Sequence, residues 1–81
     1  MNQREARELL EAILRDIAPE LDLAAVDPDA ALRDELGLDS VDFLHLIEEI
    51  YARTRVNIPE ADYARLQSVN STLSYLKGVA P

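Results

Sequence analysis

Apolar residues recur at intervals of three and four over residues 3–17, which is the spacing of one face of an α-helix. Charged side chains of both signs occupy the opposite face. Pro19 should end this helix near Ala18, because proline cannot continue the helical hydrogen-bond ladder. The pattern predicts an amphipathic helix with a core-facing set of Leu9, Leu10, Ile13, Leu14 and Ile17.

Residues 19–39 show no sustained period, and prolines and aspartates interrupt them. Apolar residues are nevertheless spread through the stretch, so we expect it to be anchored across the fold rather than free in solvent. A short helical turn should begin after Asp29 and continue through Arg33. A connection of this length in a compact domain often has a functional role.

A second helix is predicted over residues 40–54. Its inward set comprises Leu46, Ile47 and Ile50, with Phe43 at the edge. Val41 and Leu44 fall on a different side of the helix, and we expect them to be exposed apolar contacts beside Ser40.

The segment over residues 56–59 should be extended, because the residue before a proline avoids the helical region. Pro59 suits the first position of a short helix over residues 59–64. Tyr63 and Leu66 should then pack inward.

A final helix should be capped by Ser68 or Asn70, run to about Lys77, and end at Gly78 and Pro81. Its apolar face comprises Val69, Leu73 and Leu76, with Tyr75 beside them. These elements predict an all-α, four-helix bundle with three main helices, one short helix and a long first loop. We expect a single domain over residues 1–81.

Composition narrows the possible functions. The 81 residues include no cysteine and one histidine, His45, so neither disulfides nor a zinc-type metal site is expected. The formal net charge of −8 disfavours nucleic acid and anionic membranes and favours partners with basic patches. No apolar run reaches membrane-spanning length and no signal segment is evident, so we expect a cytoplasmic protein. We also expect a monomer.

The candidate chemistry lies in residues 34–42, which read as a loop that turns into a helix. Gly37 permits a backbone conformation that other residues avoid. Asp39 can cap the following helix, and Asp42 can reach back toward the cap. Ser40 then projects from the first turn, where the helix N-terminus favours a phosphate ester on its hydroxyl.

Residues 35–41 read E-L-G-L-D-S-V, which resembles the attachment motif (D/E)-x-G-x-D-S-(L/V) of acyl carrier proteins. From Leu36 to Lys77 the chain follows that family's pattern without a gap, whereas the first helix and loop match in kind only. The resemblance implies that Ser40 carries 4′-phosphopantetheine, with Gly37 and Asp39 shaping the site. It also implies a carrier that is not an enzyme and that holds acyl groups as thioesters for fatty acid, polyketide or related specialised lipid biosynthesis.

The resemblance also implies partners. These are a phosphopantetheinyl transferase and acyl-loading, condensing and acyl-transfer enzymes with basic docking patches. The expected partner contacts are Asp39, Val41, Asp42, Leu44 and Glu48. The chain has His45 and Ala52 where members that serve primary fatty acid synthesis usually have acids, and Glu48 where they usually have methionine. The docking surface therefore resembles the family in kind but not in detail.

The removal of an acyl chain from water is favourable in free energy. We therefore expect the chain to enter an opening between the second helix and the short third helix. The expected lining is Leu46, Ile50, Ile58, Tyr63, Leu66 and Val69.

Two alternatives stay open: an aminoacyl, peptidyl or D-alanyl carrier, and an unmodified helical interaction module with Ser40 as a plain cap. A hydrolase with Ser40 as nucleophile fails, because it needs a base and an orienting group. His45 lies roughly one and a half helical turns away and is expected to be a surface residue.

Overall fold

The computed structural model describes residues 1–79. In this range the α-helices are α1 (Gln3–Ile17), α2 (Leu32–Leu36), α3 (Ser40–Thr54) and α4 (Val69–Val79), and the 3₁₀ helices are Leu23–Ala25 and Glu60–Leu66. No strand occurs among these residues. The predicted all-α bundle is therefore confirmed. Its three main helices are α1, α3 and α4, its short helix is the 3₁₀ helix Glu60–Leu66, and its long first loop contains α2.

The core is aliphatic and lies where the three long helices meet. Helix α1 packs against both α3 and α4, and the 3₁₀ helix Glu60–Leu66 packs against α4. Complete burial of one such side chain contributes roughly 1.5–3 kcal/mol. The fully enclosed side chains include Leu10, Ile13, Leu14, Leu46, Ile50, Leu66, Leu73 and Leu76. The predicted inward faces of α1, α3 and α4 are thus confirmed, with Leu9 and Ile17 only partly buried.

The long connection is anchored, as predicted, by hydrogen bonds to a distant part of the chain. The N–H of Leu32 donates to the carbonyl of Gln67 (2.7 Å), and the N–H of Asn70 donates to the carbonyl of Pro28 (2.9 Å). The Asn70 side chain also donates to the carboxylate of Asp29 (2.8 Å). These bonds hold the loop against the beginning of α4.

The anchor also shifts the helical turn that was expected over residues 30–33. The α-helix begins at Leu32 and ends at Leu36, because the Leu32 N–H is committed to Gln67 and the Leu32 side chain is buried. The 3₁₀ helix Leu23–Ala25 was not predicted. The Asp22 side chain caps this turn by accepting a hydrogen bond from the N–H of Ala24 (3.1 Å).

The short third helix differs from the prediction over residues 59–64 in its type, its beginning and its end. Pro59 is extended and precedes the helix instead of occupying its first position, and the helix is 3₁₀ over Glu60–Leu66. Buried Leu66 ties its end to the core. The Tyr75 hydroxyl donates to the Asp62 carboxylate (2.8 Å). Burial, and then this hydrogen bond, raise the pKa of Tyr75 above its ordinary value, so the hydroxyl remains a hydrogen-bond donor at a higher pH than an exposed tyrosine.

Helix α4 is capped by Ser68, whose hydroxyl accepts a hydrogen bond from the N–H of Ser71 (3.1 Å). Asn70 lies inside the helix and bonds to the long loop instead of capping. The predicted end at Lys77 is wrong, because α4 continues to Val79 and Gly78 does not adopt a left-handed backbone. Pro81 lies outside the described residues. Within residues 1–79 no helix is long and apolar enough to cross a membrane.

Candidate functional site

The chain turns sharply between α2 and α3, and the turn places Ser40 at the first position of α3. Gly37 ends α2 with φ 66° and ψ 28°, in the left-handed region. A Cβ at Gly37 would meet no atom within 4 Å, so the backbone angle and not space demands glycine there. Leu38 is buried and anchors the turn in the core.

A capping box begins α3. The carboxylate of Asp39 accepts a hydrogen bond from the N–H of Asp42 (2.9 Å), and the carboxylate of Asp42 accepts one from the N–H of Asp39 (3.3 Å). The predicted roles of these two residues in starting the helix are confirmed. A cap of this kind is worth about 1 kcal/mol.

Because Asp39 performs the capping, Ser40 does not. Its side chain is exposed, and its hydroxyl makes no hydrogen bond within residues 1–79. The alternative in which Ser40 is a plain helix cap is therefore wrong. The hydroxyl remains available to a reagent that approaches from solvent.

A groove of about 770 Å³ begins at Ser40 and runs between α2 and the 3₁₀ helix Glu60–Leu66. Its apolar walls comprise Ala31, Leu32, Leu38, Phe43, Ala64 and Leu66. Its polar rim comprises Arg33, Asp34, Asp39, Tyr63 and Gln67. Phe43 and Tyr63 meet edge to face, with ring centroids 5.6 Å apart, and so connect α3 to the 3₁₀ helix along the groove.

The structure brings only part of the expected acyl-chain lining to this groove. Tyr63 and Leu66 line it, whereas the other four residues are buried in the core and do not: Leu46, Ile50, Ile58 and Val69. The groove uses the loop residues Leu32, Arg33 and Leu38 in their place. No local signal pairs this loop with the 3₁₀ helix, because the pairing depends on long-range bonds such as that from Leu32 to Gln67.

The expected partner contacts lie on the surface beside Ser40. Val41 is 72% exposed and Leu44 is 48% exposed, as predicted. Glu48 and Asp39 are also exposed, and Asp42 is half-buried by its capping contacts. An acidic and apolar surface therefore adjoins the exposed hydroxyl.

His45 is a surface residue, as expected, with its Nε2 3.8 Å from a carboxylate oxygen of Glu49. It lies on the exposed side of α3 and not beside Ser40 in the groove. Within residues 1–79 no cluster of three or more histidine and carboxylate side chains could hold a metal ion.

The site fits a phosphopantetheine group on Ser40. The hydroxyl is exposed and not engaged in a hydrogen bond, and the N-terminal N–H groups of a helix favour a phosphate at that position. The adjacent groove offers apolar walls and polar side chains to an arm that contains both kinds of group. The nearby carboxylates of Asp39 and Asp42 oppose the phosphate charge, but solvent screens exposed charges.

Comparison with known proteins agrees with this geometry. The family model described as "Phosphopantetheine attachment site" matches residues 8–76. A protein of Streptomyces coelicolor named "Acyl carrier protein" is 33% identical over 72 residues, which cover 89% of this chain and 74% of the relative. One of the same name from Thermosynechococcus vestitus is 32% identical over 76 residues, which cover 94% of this chain and 93% of the relative.

The first prediction concerns Gly37. The substitution Gly37→Ala should lower the free energy of unfolding by about 1 kcal/mol, because a left-handed backbone is unfavourable for an L-residue. Urea unfolding measures the effect. Gly78→Ala is the matched control: its Cβ also meets open space but its backbone is helical, so stability should rise by a few tenths of a kcal/mol. If both substitutions changed the free energy of unfolding in the same direction, the role of the backbone angle would be contradicted.

Proposed function

Because the chain belongs to the phosphopantetheine-attachment family of acyl carrier proteins, we propose that Ser40 is the attachment residue and that the chain carries acyl intermediates for fatty acid, polyketide or related specialised lipid biosynthesis. Members of this family are carriers and not catalysts. The bound 4′-phosphopantetheine supplies a terminal thiol that holds acyl groups as thioesters. The match over residues 8–76 supports treating the chain as one attachment domain.

The observation that carries the proposal is the state of the Ser40 hydroxyl. It lies exposed at the first position of α3, and the capping that a serine often performs there is done by Asp39. The residue is thus free to react without loss of the helix start. Gly37 and the capping box support the site by holding the turn. The exposed hydroxyl would take the phosphopantetheine group from coenzyme A on a transferase, as the pyrophosphate bond breaks and adenosine 3′,5′-bisphosphate leaves.

The docking surface would take a phosphopantetheinyl transferase and acyl-handling enzymes. Exposed Val41 and Leu44 offer apolar contact, and Asp39, Asp42 and Glu48 offer negative charge to a basic patch. Such complementarity mainly raises the association rate and sets the orientation of docking.

A second cargo class has one observation in its favour. The groove beside Ser40 has a polar rim that includes Arg33, Tyr63 and Gln67. Within residues 1–79 none of these side chains has a hydrogen-bond partner. An aminoacyl or other small polar cargo, as on aminoacyl, peptidyl or D-alanyl carriers, would find partners there that a saturated chain would not use.

The attachment itself is tested by mass spectrometry after incubation with coenzyme A and a phosphopantetheinyl transferase. Ser40→Ala should abolish the mass gain while stability changes by less than about 0.5 kcal/mol, because the side chain is exposed and makes no contact that holds the fold. Ser74→Ala, an exposed serine on α4, should be modified like wild type. A mass gain in the Ser40→Ala variant, or no mass gain in wild type, would contradict the proposal.

The electrostatic docking prediction must separate charge from capping. Asp39→Asn and Asp42→Asn remove one charge each, and an asparagine at position 39 can still cap the helix. Both should slow transferase modification, most strongly at low salt, since exposed charges are screened as ionic strength rises. Glu48→Lys reverses a charge outside the cap and should slow it further. If the modification rate were the same for wild type and all three variants and did not depend on ionic strength, electrostatic docking would be excluded.

The position of the cargo is tested with thioesters of increasing chain length. Each methylene removed from water contributes roughly 0.8 kcal/mol, so a sheltered chain should raise the melting temperature stepwise. Methyl chemical shifts distinguish the locations: Leu66 reports the groove, and Ile50 and Ile58 report the interior that was expected from the sequence. A melting temperature that stays flat, with no shift at any of these residues, would indicate a chain that remains outside and would favour a small polar cargo.

A further inference from the structure

The outward face of α3 carries one continuous row of side chains along its whole length. Its members recur every three or four residues, so at 100° per residue they fall within an arc of about 80°. We call this row the α3 stripe. It consists of Val41, Leu44, Glu48 and Tyr51, and Arg55 lies just beyond the end of the helix beside Tyr51. Val41, Leu44 and Tyr51 are 72%, 48% and 46% exposed. Large apolar side chains arranged in this way on a surface mark a contact for another protein.

The two ends of α3 differ in charge. The carboxylates of Asp39 and Asp42 lie at its beginning, and Arg53 and Arg55 lie at its end. Arg53 is neutralised within the fold, because its guanidinium pairs with Asp16 (3.1 Å) and Glu49 (3.4 Å).

Arg55 is different. Within residues 1–79 it forms no ion pair with a carboxylate, and its guanidinium lies 5.7 Å from the centroid of the exposed Tyr51 ring. Arg7, Arg33, Arg65 and Lys77 also form no ion pair within residues 1–79. Among these cations Arg55 is distinguished by its position beside an exposed aromatic ring, because the Tyr75 ring that Arg65 contacts is buried.

The backbone of Arg55 is also unusual. It ends α3 with φ 63°, and within residues 1–79 it is the one residue other than glycine with a positive φ. Glycine is the common residue at such a helix end. The arginine side chain is exposed and fills no space in the core, and its charge is favourable at the negative end of the helix dipole, but neither fact requires the positive φ. A locally unfavourable residue of this kind points to a role outside the fold.

We propose that the α3 stripe is a single docking face with two opposite poles, and that an enzyme acting at Ser40 places a carboxylate against the Arg55–Tyr51 pair. The same enzyme presents cations toward Asp39 and Asp42 and apolar side chains toward Val41 and Leu44. This inference rests on the proposed function, since it concerns the partners of Ser40. It extends the partner surface to a basic and aromatic contact at the far end of the helix.

The dimensions allow one partner to cover both poles. Val41 and Arg55 are fourteen positions apart, which is about 21 Å along the helix at 1.5 Å per residue. A standard interface of roughly 800 Å² per partner spans about 30 Å. Opposite charges at the two ends permit one direction of docking along α3, and arginine and tyrosine are residue types that often dominate binding energy.

The experiment measures kcat/KM for modification of the apo chain by a purified phosphopantetheinyl transferase that modifies wild type. Arg55→Glu should lower kcat/KM about threefold to tenfold, mainly through KM, because an attractive charge pair becomes repulsive. If only the general attraction between an acidic chain and a basic enzyme mattered, Arg55→Glu would raise kcat/KM, because this variant is more acidic than wild type. Lys77→Glu makes the same charge change on α4 and should leave the rate unchanged or slightly raise it.

Arg55→Gly separates docking from stability. Glycine suits the positive φ, so the variant should unfold at a temperature no lower than wild type while its kcat/KM still falls. The reduction for Arg55→Glu should shrink as salt is raised. Equal rates for wild type, Arg55→Gly and Arg55→Glu would overturn the two-pole interface and leave the proposed function intact. A wild-type chain that is never modified would overturn the proposed function itself.

Sedimentation velocity of the apo chain tests a different occupant of the stripe, a second copy. A monomer for both wild type and Arg55→Glu supports the enzyme as occupant. A wild-type dimer that dissociates in the variant would overturn it.

Discussion

Everything at the candidate site depends on where α3 begins. The exchange of hydrogen bonds between Asp39 and Asp42 fixes the first turn, and the left-handed backbone of Gly37 delivers the chain to it. The consequence for Ser40 is twofold. It occupies the first helical position, where the dipole favours a phosphate, and its hydroxyl is not consumed by capping. A serine at position 39 would have been a good cap and a poor attachment residue.

Helix α3 has to satisfy two demands with one sequence. Its inner face supplies Leu46 and Ile50 to the core, which α1 and α4 complete. Its outer face leaves Val41 and Leu44 largely or half exposed, so they contribute less to the stability of the isolated fold than buried residues of the same type. An 81-residue chain without disulfides has little stability to spare. The exposure of these apolar residues beside Ser40 is what the proposed docking surface requires.

The long first loop has a structural part in the site. The hydrogen bonds from Leu32 to Gln67 and from Asn70 to Pro28 and Asp29 bring the loop to the end of the 3₁₀ helix Glu60–Leu66. One side of the groove is thus built by residues that precede Ser40 and the other by residues that follow it. A change in these bonds would alter the shape of the groove without touching the serine.

The sequence alone determined the parts of this protein whose cause is local. Helices α1 and α3 begin and end where apolar spacing, Pro19 and the Asp39 cap predict, and the motif around Ser40 indicates the family. Tertiary contacts decided the rest. The beginning of α2 at Leu32, the use of Asn70 as a tether for Asp29, and the lining of the groove depend on pairs of residues 35 to 42 positions apart. Such pairs leave no periodicity in the chain, because each residue meets its partner only after the helices have packed.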